Sequence, residues 1–167
     1  SGILTQSPSF EEIETDRLND IPFPAQDIID SAKGFAVGLA KSDPPPPGVT
    51  YSDLVSAGDE ALSKDNPAAA VVSYRQALGI VGNDPAVWLK LAQVTLDRAD
   101  AENANNNSSS AYDFAVVAGY AALNGLLKTE DTQQRSDALA AFGKSLEYRQ
   151  MWHEAISTWR ASLALVE

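Results

Sequence analysis

The sequence predicts an all-α protein assembled from antiparallel helical hairpins, and three observations predict it. Apolar residues recur at helical spacing. Leu139, Phe142 and Leu146 follow i, i+3, i+7, which places them on one buried face. Two distant stretches also share one pattern. Gly58 and Ala70 are 12 residues apart, as are Gly143 and Ala155. From each alanine an aromatic follows at +4 (Tyr74, Trp159), a small residue at +7 (Ala77, Ser162) and a leucine at +8 (Leu78, Leu163). Finally, turn formers such as Asp65-Asn66-Pro67 and Gly82-Asn83-Asp84-Pro85 separate the helical stretches. Two hairpins in one register amount to an internal repeat.

Residues 1–25 are polar and acidic and are broken by Pro8, Pro22 and Pro24. Extended chain is expected there, with Ile3, Leu4, Phe10, Ile13 and Phe23 able to lie against helices. The segment 26–41 carries Ile28, Ile29, Ala32, Phe35, Ala36 and Leu39 on one side, which predicts a helix. Gly34 and Gly38 weaken it by up to about 1 kcal/mol each relative to alanine. Pro44–Pro47 is a stiff polyproline spacer. Residues 1–50 hold 8 acidic and 3 basic residues. Residues 1–49 are therefore expected to be a separate N-terminal segment, and 50–167 the helical domain.

The first hairpin is expected over about 51–81, capped by Thr50 or Ser52, with Pro67 in the first turn of its second helix. The second is expected over about 85–128. Trp88, Leu91 and Ala92 supply its first helix, and Ala92 lies 34 residues after Gly58. In its second helix Ala115, Gly119 and Ala122 keep the +4 and +7 spacing. Gly119 stands where an aromatic is expected, and these residues arrive 11 positions late. The intervening Ala101–Ser110, rich in Asn and Ser, predicts a mobile, protruding loop. The third hairpin is expected over about 131–166.

These residues resemble tetratricopeptide (TPR) repeats, helical hairpins of about 34 residues. The resemblance covers roughly 51–167. It implies three TPR-like hairpins in a right-handed superhelix, preceded by an N-terminal segment with one helix. It also implies a concave groove lined by the first helix of each hairpin. Carried onto this sequence, the groove residues are Val55, Asp59, Leu62 and Ser63, then Leu89, Gln93, Leu96 and Asp97, then Ala140, Lys144, Glu147 and Tyr148. Chaperone-docking TPR domains clamp a peptide carboxylate with Lys, Asn and Arg. The matching positions here hold Val55, Asp59, Gln93, Ala140 and Lys144, and one cation cannot make that clamp.

The run from Tyr148 to Glu167, preceded by Ser136–Ala140, also resembles the helical segment near the start of large bacterial α2-macroglobulin-like proteins. That resemblance implies a structural module of a periplasmic protease inhibitor, with neighbouring domains of the same chain as its partners. The family's thioester Cys-Leu-Glu-Gln and bait region are absent from this sequence.

The 12 basic and 23 acidic residues give a net charge of −11, which disfavours nucleic acid or an anionic membrane and favours a cationic partner surface. No apolar run is long enough to span a bilayer, so membrane insertion is not expected. With no cysteine there are no disulfides, thiolates or Cys-ligated metals. His153 is the single histidine and is expected at the surface; the carboxylates show no ligand spacing. Gly79-Ile-Val-Gly82 lacks the Lys and Ser or Thr of a phosphate loop. No catalytic, cofactor or metal site is expected. Asn107-Ser108-Ser109 matches a glycosylation acceptor, with an unmodified flexible loop as the favoured reading.

A non-catalytic protein-interaction or scaffolding module is the expected function, binding a protein or peptide; the structural α2-macroglobulin-like role is the alternative. The chain opens on Ser-Gly rather than Met, so a processed or excised form is expected, in the periplasm or secreted, with the cytoplasm as alternative. On the last helix Ile156, Leu163 and Leu165 are expected to form an edge turned toward the place of a next repeat. A downstream domain, a second copy in a dimer, or the 26–41 helix would cover it.

Overall fold

A computed structural model describes residues 24–42 and 44–166, and among the described residues it is all-helical, with no strand. Among the described residues seven helices follow in order: α1 (Gln26–Ser42), α2 (Tyr51–Ser63), α3 (Pro67–Ile80), α4 (Pro85–Ala104), α5 (Ser108–Leu127), α6 (Thr132–Tyr148) and α7 (Trp152–Val166). Expectations for residues 1–23 lie outside the described residues.

Local chemistry explains the helix starts. Thr50 and Asp53 form a reciprocal capping box at α2, with 3.1 Å bonds in both directions. Asn66, Asp84 and Asp131 each accept a backbone N–H of the helix that follows. Pro67 and Pro85 occupy the first helical position, where no N–H is needed.

The three tight turns share one geometry. Asp65, Asn106 and Gln150 have φ of 56°, 60° and 58°, the left-handed region that ends many helices. Each donates its N–H three residues back, to Leu62, Asn103 and Glu147. The next residue donates five back: Asn66 to Ala61 at 2.8 Å, Asn107 to Glu102 at 2.9 Å and Met151 to Leu146 at 2.9 Å. These paired bonds satisfy carbonyls that a helix end otherwise leaves open.

This turn overturns the loop expected at Ala101–Ser110. Helix α4 runs on to Ala104 and α5 begins at Ser108, leaving only Asn105–Asn107 between them. Alanine and glutamate at 101–104 favour helix, and small polar residues are at home in the first turn of the next one. The 11-residue delay is therefore about three turns of helix, shared between two limbs. Helices α4 and α5 have 20 residues each, against 13 and 14 in α2 and α3. Counted from the turn, Ala111 is the counterpart of Ala70 and Ala155. Ala115 therefore stands where Tyr74 and Trp159 do, and the register expected to start at Ala115 is one helical turn late.

Packing follows the small residues. A Cβ built on Gly58 would lie 2.7 Å from Cδ1 of Tyr74, and one on Gly143 would lie 2.6 Å from Cδ1 of Trp159. Each glycine thus lets its hairpin's second helix bring an aromatic against the first. Gly119 serves a different contact, with Ser145 of α6 2.6 Å from its would-be Cβ. Ser136 and Ser162, both buried, exchange hydroxyl-to-carbonyl bonds of 3.1 and 2.8 Å where α6 meets α7.

From α2 onward successive helices pack on one another, and α4 also touches α6. Helix α1 packs against α3 and α5 rather than along α7, so it does not take the covering position considered for the C-terminal edge. Its Ala32 and Leu39 join one hydrophobic core that continues through Trp88 and Phe142 to Ala155. Phe35 sits 6.3 Å from the Trp88 ring and 5.9 Å from Tyr120. The buried Asn124 amide donates to the Ala32 carbonyl at 2.8 Å.

Candidate functional site

The first helices of the three pairs, α2, α4 and α6, are joined side by side by two clusters of one design. In the first, Asp59 of α2 receives Lys90 of α4 at 2.8 and 2.9 Å and the Tyr74 hydroxyl of α3 at 2.6 Å. In the second, Asp100 of α4 receives Lys144 of α6 at 2.6 Å and also the Tyr148 hydroxyl. The hydrogen bond from Lys90, then that from Tyr74, holds Asp59 below the usual carboxylate range. Burial pushes Asp100 upward, but the bonds from Lys144 and Tyr148 outweigh it and the net shift is downward. Burial, then the hydrogen bond to Asp100, pushes the Tyr148 hydroxyl up to about 12. A third link, Tyr51 to Asp84 at 2.5 Å, ties the start of α2 to the start of α4.

Between α4 and α6 lies a cavity of about 620 Å³. Leu89, Gln93 and Leu96 line one wall; Asp137, Ala140 and Lys144 line the other. Lys90 and Gln134 stand at its N-terminal end. Asp137, Ala140, Ala141 and Lys144 recur at helical spacing, so one stripe of α6 faces the groove.

The expected groove residues divide. Leu89, Gln93, Leu96, Ala140 and Lys144 meet in this cavity. Glu147 and Tyr148 lie with Asp100 and Trp152 in an adjoining cleft of about 330 Å³ that shares Lys144. Leu62 and Asp97 border a cleft of about 550 Å³ with Arg98 and Glu102, where α4 extends past the end of α2. Val55 is half-buried against the core, and Asp59 is committed to Lys90 and Tyr74. Ser63 donates to the Glu60 carbonyl at 2.7 Å.

Sequence reasoning missed Lys90, Asp100, Gln134 and Asp137. The signal for Asp137 was present, because it precedes Ala140 and Lys144 by one and two helical turns. Asp100 was hidden by the loop expectation, which placed it beside a segment thought to be unstructured.

At the edge, Leu163 is 59% exposed, Ile156 is half-buried, and Leu165 packs back against the core. Trp152, 54% exposed, lies on the same side of α7 as Ile156 and Leu163 and was missed there. His153 is exposed at the start of α7. Among the described residues no three His, Asp or Glu side chains group as metal ligands, and no helix is long and apolar enough to cross a membrane. Comparison with protein-family models, curated proteins and solved structures found no match.

Proposed function

We propose that the chain is a non-catalytic protein-interaction module, a TPR-like stack of three hairpins in a right-handed superhelix, whose groove between α4 and α6 receives an extended segment of a partner protein. The 620 Å³ groove carries this reading, because it combines an apolar floor with side-chain amides and charged groups along its length. The common turn geometry at Asp65, Asn106 and Gln150 and the matched Gly58–Tyr74 and Gly143–Trp159 contacts support the repeat.

Amide chemical-shift mapping with short, end-blocked peptides of mixed composition tests it. Shifts should concentrate at Leu89, Gln93, Leu96 and Ala140, and Ala140→Arg should abolish them without lowering the melting temperature. Shifts confined to other faces, or none at all, overturn the groove.

A second reading, a structural module of an α2-macroglobulin-like periplasmic protein, is favoured by one observation: α7 exposes Trp152 and Leu163 together. Such a surface suits packing against a neighbouring domain of the same chain. Linking the chain to its native flanking sequence should then protect the α7 amides from hydrogen exchange, and unchanged exchange rejects this role.

A further inference from the structure

The groove has a charge preference, an inference that rests on its reading as a peptide site. Its two lysines are already neutralised, Lys90 by Asp59 at 2.8 Å and Lys144 by Asp100 at 2.6 Å. Its carboxylate is not. Asp137 receives only the neutral amide of Gln133, at 2.9 Å. Asp137 of α6 and Gln93 of α4 both line the groove, from its two walls. Uncompensated negative charge therefore stands beside the apolar Leu89, Leu96 and Ala140.

We infer that the groove takes an extended protein segment bearing a lysine or arginine between small apolar side chains, with Asp137 receiving the cation. A charge-assisted bond to a carboxylate is about twice as strong as a neutral one, so replacing the Gln133 amide by a cation is favourable. The chain's net charge of −11 acts in the same sense by drawing cationic segments toward it. An anionic segment would have to detach Lys90 or Lys144 from an aspartate that a tyrosine hydroxyl also holds.

Three end-blocked peptide pools of alanine, leucine and glutamine, with a central arginine, glutamine or glutamate, provide the test. Affinity is read by fluorescence anisotropy and location by amide shifts. The arginine pool should bind about tenfold tighter than the glutamine pool at low salt, and the glutamate pool weakest. Asp137→Asn, nearly isosteric at an exposed position, should erase the arginine advantage over the glutamine pool. Raising salt on the unsubstituted protein should shrink the same advantage. Equal affinity of the arginine and glutamine pools, or an arginine advantage that survives Asp137→Asn, overturns the inference. If the pools shift Leu89, Gln93 and Ala140 without charge preference, the inference alone falls. If no pool shifts the groove, both the inference and the groove reading fall.

Discussion

Glycines in this chain have opposite roles that only their surroundings separate. Gly143 sits beneath Trp159 and Gly58 beneath Tyr74, so a side chain there has nowhere to go. Gly143→Leu overpacks that crossing and should cost about 1–3 kcal/mol or more, read as a lowered melting temperature. Gly34 lies in α1 with nothing within 4 Å of a would-be Cβ. Gly34→Ala should raise the melting temperature, by about 0.5–1 kcal/mol of stability. Matching signs for the two variants would sink this account. Titration also acts at single residues. Asp59 and Asp100 have folded-state pKa values below the ordinary 3.8, so the folded chain binds fewer protons than the unfolded one. Their contribution is present above 3.8 and lost as pH falls through the depressed values. Both are about half exposed, which limits each to about 1 kcal/mol at most. Tyr148 has the opposite sign, its contribution being lost as pH rises from 10 through about 12. Melting curves across pH should show both declines, and Asp100→Asn should flatten the acid one.

At the scale of the element, the turns decide where helices stop. Gln150 holds a left-handed backbone without the short polar side chain that makes this conformation tolerable for Asp65 and Asn106. Gln150→Gly relieves about 1 kcal/mol of that cost, partly offset by the freedom of an unfolded glycine, and should raise the melting temperature modestly. Asn106→Gly should do less. Deleting 101–110 removes the turn and the helix ends it joins, so substantial loss of helicity and stability is expected by circular dichroism; a variant that melts like the parent would restore the loop reading. The helices over 51–80 and from 132 onward were legible because apolar spacing, caps and turn formers agree there. The tip of the second pair was illegible because Asn and Ser serve equally as loop and as helix-end residues. What distinguishes them is the backbone angle at Asn106, which composition does not encode.

Over the whole molecule, α1 acts as a brace across α3 and α5. Leu39, 1% exposed, and Ala32 belong to the same core as Trp88 and Leu126. Leu39→Ala should cost about 2–5 kcal/mol and lower a single cooperative transition; a separate early transition for α1 would show that the brace folds independently. The apolar face of α1 was readable, but not the surface it would cover. The groove was readable only in part, since Leu89, Gln93 and Lys144 follow from repeat register, whereas Asp100 depends on α4 continuing further than expected. The unequal limbs of the second pair carry a further consequence. Counted from the helix start, Ala92 occupies the place of Gly58; counted from the turn, Ala99 does, and both are fully buried. Seven residues, two helical turns, rotate an α-helix face by only about 20°, so the longer limb keeps its buried stripe aligned. The pair is in effect a telescoping arm. Its reach can change in steps of seven residues per limb without re-aiming a side chain, whereas a step of five would turn the stripe to solvent.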